Sequence, residues 1–177
     1  MVATVLIREK NGAGETPTDK TAGTVRFKNA DDATVDTSNP LIIPTSNTEY
    51  SFEKFLRAHI GATGPSVEIT NLVFYMDGAK GWAAGVKLWG RSVAAYTTPA
   101  VPTETNDPPQ IPVGGTPAAA TDAFSWTQGS PLSLGAGPFS ATNADMGNYV
   151  DLVMEVEIGE TQGTLTTETA TFAYDEI

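Results

Sequence analysis

The period of the apolar residues constrains this chain more than any other feature. Between Tyr149 and Ile158, one side carries Val150, Leu152, Met154, Val156 and Ile158. The other carries Asp151, Glu155 and Glu157, with Val153 the lone exception. Successive side chains of a strand point to opposite faces, so this alternation predicts a half-buried antiparallel strand with an acidic, solvated outer face. No window of twelve or more residues keeps the spacing of a convincing amphipathic helix.

The stretch Tyr50–Ile60, "YSFEKFLRAHI", is the harder case. Alternation places Tyr50, Phe52, Leu56, Ala58 and Ile60 on one face, with Lys54 interrupting. Helical spacing leaves Tyr50 and Ile60 out, so a strand is preferred. "GATGPS" then breaks the chain, and Val67–Met76 reads as an inner strand, apolar on both faces toward its end. Asp77-Gly78 supplies a tight turn. Thr4–Arg8 and Thr24–Asn29 are short and β-branched. "NPLIIP", bracketed by Pro40 and Pro44, reads as an edge strand or a bridge between sheets. Val86–Ala95 carries a candidate bulge at Gly90, Ala123–Thr127 is a short aromatic strand, and Thr164–Tyr174 is a closing Thr-rich strand.

About nine short strands punctuated by Gly and Pro predict an all-β fold. The expected architecture is an antiparallel β-sandwich, jelly-roll or Ig-like, in one domain over residues 1–177. Two segments stand apart. Residues 9–23 read as a polar loop. Residues 97–121 hold six of the twelve prolines and no basic residue. Proline removes backbone donors and favours extended geometry, so this stretch is a crossover draped over one sheet or an arm reaching a neighbour.

A chain of 177 residues buries a core without staples, which fits the absence of Cys. Thiolate catalysis and Cys-type zinc sites are thereby excluded. The start, "MVATVLIREKNG", does not read as a signal peptide, and no apolar run is long enough to span a membrane as a helix. The net charge is −11, which disfavours nonspecific nucleic-acid binding. All ten Lys and Arg lie at or before Arg91, balanced by ten Asp and Glu; from Ser92 onward there are eleven acidic residues and no basic one. In the preferred reading the halves interleave as paired strands, mixing these charges on a solvated face. A complementary patch for a basic partner is the alternative.

The residues form no reaction constellation. His59, the single histidine, sits in a predicted strand with no motif around it, so it reads as a sheet residue. One His and no Cys do not make a zinc site. "NADMGN" and "DGAKG" lack the spaced acids of a calcium loop. No glycine cluster follows a strand and opens a helix, so no phosphate cradle is expected. Carboxylates are plentiful enough for a two-carboxylate glycosidase, a distant reading. Trp82, Trp89 and Trp126 are the aromatic candidates for a sugar platform. Trp89 and Trp126 read as core residues and Trp82, in "DGAKGWAAG", as a cap at one end.

Three pieces in order, "YSFEKFLRAHI" then "ITNLVFYMDG", "GVKLWG" leading into "AAYTTPAVP", and "YVDLVMEVEIGETQGTLTTETATFAYDEI", resemble structural proteins of tailed-bacteriophage virions. The resemblance spans roughly residues 49–102 and 149–177. It implies a non-enzymatic β-sandwich subunit of the virion, made in the host cytoplasm and homo-oligomeric or present in many copies. Such a subunit needs no cofactor, nucleic acid or membrane. Its partners would be major capsid or tail subunits, and its most expected role is capsid decoration, with the tail or neck as a second location. Many weak contacts would hold it by avidity. On this reading the Pro-rich arm, with Pro99, Pro102, Pro108, Pro109 and Ile111, reaches across a seam. The N-terminal strand with Val5 and Ile7 adds to a partner's sheet edge. Trp82 is a further contact candidate. A carbohydrate-binding β-sandwich module, with Trp82 or Trp126 stacking on sugar rings, is the competing function.

Overall fold

The computed structural model describes residues 3–46, 48–62, 68–102, 110–111 and 118–177, with backbone alone at 110–111 and 118–119. It is all-β, with two antiparallel sheets packed face to face in a β-sandwich. The strands are β1 (Thr4–Asn11), β2 (Thr16–Asp19), β3 (Thr48–Tyr50), β4 (Lys54–Ala62), β5 (Ile69–Asp77) and β6 (Val86–Val93). They continue as β7 (Gln110–Ile111), β8 (Ala118–Ala119), β9 (Thr121–Asp122), β10 (Leu132–Gly135), β11 (Ala144–Glu157) and β12 (Thr169–Glu176). The large sheet runs β2-β1-β4-β11-β6-β9, with β3 also on β11. The small sheet runs β10-β5-β12, and β7 with β8 forms a separate ribbon.

The longest strand, β11, is the spine that the alternation around Tyr149–Ile158 predicts. Val150, Leu152, Met154 and Val156 are buried, as expected of the inner face. Ile158 lies past the strand end and is exposed. The acidic face departs from expectation, because Asp151 and Glu155 are also buried, 0 % and 2 % exposed. Cations from the first half cover them: Arg91 Nε lies 3.3 Å from Asp151, and Lys87 Nζ lies 3.4 Å from Glu155. The two halves of the chain do interleave, β6 pairing with β11 from Val86↔Val156 to Val93↔Tyr149.

Tyr50–Ile60 lies along one edge of β11 but is broken between Tyr50 and Lys54. The Ser51 hydroxyl accepts the Met154 N–H at 3.0 Å, and the Glu53 N–H turns away to Ala100 O at 2.9 Å. That break changes the phase. Leu56, Ala58 and Ile60 enter the core between the sheets, while Tyr50 packs on the outer face with Trp89 and Val153. A second phase change occurs in β5, where Asn71 adopts φ 52°. Ile69 lies before it and Leu72, Phe74 and Met76 after it, yet all four are buried. Phe74 stands at the centre, edge-on to Trp126 and Phe172. Fully burying one such ring stabilises by about 1.5–3 kcal/mol.

Several expected elements are corrected. Thr24–Asn29 and the "NPLIIP" stretch form no strand; Val25, Phe27, Leu41 and Ile43 are half-buried along the cleft, while Ile42 is exposed. Residues 9–23 are largely a hairpin, with β2 on β1 and a turn at Gly12–Glu15 that uses positive φ at Gly12, Gly14 and Glu15. Ala123–Ser125 is a 3-10 turn capped by Asp122, whose carboxylate accepts the Phe124 N–H at 3.0 Å. The closing strand begins at Thr169, so 164–168 stays outside it. Gly90 makes no bulge, since the β6–β11 register is unbroken. It is needed for close approach: a Cβ there would lie 2.6 Å from Leu152 Cδ2 and 3.0 Å from Asp151 O.

Candidate functional site

The small sheet covers only part of the large one. Beside β12 the sandwich stays open as a cleft of about 1060 Å³. Its floor is apolar: Val5 and Ile7 from β1, Leu56 from β4, Leu88 from β6, and Leu152, Met154 and Val156 from β11. Phe172 and Tyr174 of β12 form one wall. Segments 20–27 and 40–43 and the loop 160–168 form the rest of the rim. Two exposed large apolar residues stand there, Ile42 at 67 % and Leu165 at 39 %. Apolar surface concentrated at a groove marks an interaction site more than scattered single residues do.

The cleft has built ends. At one end the Ala3 N–H donates to Glu176 Oε1 at 3.0 Å, pinning the start of β1 to the end of β12. At the other, loop 160–168 is tied to 81–85. The Gly81 N–H donates to Glu168 and the Gly85 N–H to Glu160, each at 2.8 Å, and Trp82 Nε1 donates to Thr166 O at 2.8 Å.

The predicted contact residues divide. Val5 and Ile7 lie on the cleft floor, half-buried, in β1, which pairs with β4 along its length and with β2 over Arg8–Asn11. Trp82 is half-buried at one end of the cleft, edge-on to Phe124 at 5.4 Å between centroids. Pro99 and Pro102 are buried within the chain. The described start of the Pro-rich segment is strapped down, because the Ala100 N–H donates to Glu53 Oε2 at 2.8 Å and Ala100 O accepts the Glu53 N–H. Pro108 and Pro109 lie outside the described residues, as does the Ile111 side chain. Trp89 and Trp126 are each 8 % exposed, which places both in the interior.

Besides Lys28 with Asp32 and Asp36, and Lys87 with Glu155 and Glu157, three charge clusters lie away from the cleft floor among the described residues. In the first, Lys54 Nζ meets Glu9 Oε1 at 2.9 Å while Lys20 Nζ lies 3.3 Å from Oε2. Each Lys also donates to backbone carbonyls, Lys54 to Asp32 O, and Lys20 to Thr24 O and Ala33 O. In the second, Asp145 gathers Lys10 at 3.0 Å, His59 Nδ1 at 2.7 Å and Arg57 at 3.7 Å. Burial raises its pKa, but the hydrogen bonds from His59 and Lys10 and the neighbouring cations outweigh it, and the net direction is down. Arg57 also stacks over the Tyr149 ring at 4.6 Å. In the third, burial pushes Glu53 up to about 7, and burial, then the Glu53 charge, push Asp151 up against Arg91. Paired carboxylates of this kind hold a proton near neutrality, as acid–base sites do. Here both are under 2 % exposed beneath the strap at Ala100, so they brace the sheet.

Among the described residues no group of three or more His, Asp or Glu is placed to hold a metal ion, and no helix is long and apolar enough to cross a membrane. Comparison with protein-family models, with curated proteins and with solved structures gives no match. Sequence reasoning missed the cleft because its lining comes from segments far apart in the chain. The local signal was "NPLIIP", too apolar for a surface loop yet framed by prolines that keep it out of a sheet.

Proposed function

We propose that this chain is a structural subunit that works by contact, of the kind found in tailed-phage virions, with decoration of the capsid as its role. The resemblance of residues 49–102 and 149–177 supplies the virion context. One observation carries the contact reading: an apolar cleft left open at the side of the sandwich, with Ile42 and Leu165 exposed at its mouth. The carboxylates of Glu9 and Asp151 support it, because each is buried and lies against a cation, Lys54 and Arg91 respectively. Many copies on a repeating shell allow each contact to be weak.

The test is electron microscopy and mass spectrometry of purified particles made by the genome that encodes the chain. The expected result is density for a small β-sandwich in many copies on the head. Density confined to the tail or neck would move the location. Absence of the chain from purified particles would sink the proposal.

A further inference from the structure

The free edge of β12 and the apolar floor beside it together specify what can occupy the cleft. Among the described residues β12 pairs with β5 alone. The bonding pattern identifies which groups it leaves over. The Met76 N–H donates to Trp126 O, away from β12, so Ala170 opposite Met76 turns its own N–H and C=O outward. At the far end Ile177 exchanges both backbone bonds with Glu68, which turns the backbone groups of Glu176 outward as well. The strand has 8 residues. At roughly 3.3 Å per residue, its outer edge is about 26 Å long.

A strand laid along that edge would point alternate side chains into the gap between the sheets, where the half-buried Val5, Ile7 and Phe172 offer apolar contact. Charge narrows the occupant further. The stretch 157–176 carries Glu157, Glu160, Glu168, Asp175 and Glu176 and no Lys or Arg. Lys87, 2.7 Å from Glu157, offsets one of them; on the opposite rim stand Lys20, already paired with Glu9, and Arg26, so the acidic border is the β12 side of the cleft. A second copy of β12 would bring like charges against this edge, which is unfavourable across a strand pair.

We propose that the outer edge of β12 accepts an extended segment of a partner protein, apolar at alternate positions and flanked by Lys or Arg. Backbone pairing would give affinity, the cleft would select the apolar side chains, and the acidic border would select the flanks. This rests on the reading of the chain as a contact subunit and names the chemistry of its partner.

The probe is a synthetic peptide of alternating Val and Thr with two Lys at each end, compared with the same peptide flanked by Glu. Binding is read by fluorescence anisotropy on the full chain. The key variant is Ala170→Pro, which removes an outward N–H without taking a bond from the β5 ladder. Ile42→Asp, on the opposite rim, leaves β12 untouched, and circular dichroism checks both folds. The Lys-flanked peptide is expected to bind saturably, about tenfold or more tighter than the Glu-flanked one, with binding lost in Ala170→Pro and weakened about tenfold in Ile42→Asp. No binding of the Lys-flanked peptide, equal binding of both peptides, or unchanged binding to Ala170→Pro overturns the proposal. So does a dimer of the chain that Ala170→Pro abolishes, since a second copy would then be the occupant. Particles that take up Ala170→Pro as well as the parent remove the strand site but leave the subunit reading standing. Peptide binding by a chain missing from particles does the reverse.

Discussion

Glu9 on β1 and Lys54 on β4 form an ion pair at 2.9 Å with side chains 0 % and 2 % exposed. A charge sealed this deeply depends on its partner, because desolvation costs several kcal/mol per ion. Glu9→Gln leaves both Lys54 and Lys20 without their carboxylate. Urea unfolding should show a loss of about 3–5 kcal/mol for Glu9→Gln or Lys54→Met. The double variant should lose clearly less than the sum. Additive losses would mean the two side chains do not depend on each other.

Glu53 links stability to pH in a direction opposite to most carboxylates. Its folded pKa is raised from 4.5 to about 7, and that of Asp151 is raised above 3.8. The folded state therefore holds protons that the unfolded chain has released. This contribution is most favourable below the unfolded values and is lost as pH rises through about 7, at a cost on the order of 3 kcal/mol for Glu53. Asp19, Asp32, Asp36 and Asp145 have lowered values and act only in a more acidic window. The urea midpoint of the parent should fall between about pH 5 and about pH 8, and Glu53→Gln should flatten that fall. A parent whose stability rises across this window would contradict the assignment.

Gly90 and Gly147 allow close approaches that a methyl group would block. At Gly90 a Cβ meets Leu152 Cδ2, Asp151 O and Trp126. Gly90→Ala should destabilise by about 1–3 kcal/mol through overpacking. Gly147, at φ 56° with Leu134 O in the way, should tolerate Ala less well. Thermal midpoints rank the two, and an unchanged Gly147→Ala would refute the close packing of β10 on β11.

Trp82 fastens the loop over one end of the cleft through its bond to Thr166 O. Trp82→Phe keeps a ring against Phe124 but removes that donor, worth about 1 kcal/mol. Amide exchange in 160–168 should speed up about fivefold, with the core strands unchanged. Equal exchange in parent and variant would show that the glutamates alone hold the loop.

Much of the fold was legible in the residues, and the failures share a cause. The alternation along β11 reported one strand correctly and its inner face with it. It could not report that Asp151 and Glu155 would be covered, because Arg91 and Lys87 reach them only through the β6–β11 register. Lys54 looked like an interruption of an apolar face; its meaning depends on Glu9, forty-five positions away. Tyr50 and Leu56 share a sequence phase but not a sheet face, since Phe52 and Glu53 turn their N–H groups away from β11, to Lys28 O and Ala100 O. The cleft is the extreme case: Val5, Ile43, Met154 and Phe172 meet there, and no local pattern joins them.

The most direct test of the contact surface is hydrogen exchange of the chain free and bound in its particle. Protection should rise in 169–176, where the β12 edge gains partners, and in 40–43 and 160–168 around the cleft mouth. Protection confined to the opposite face, around Arg57 and Tyr149, with β12 exchanging as in the free chain, would contradict the account.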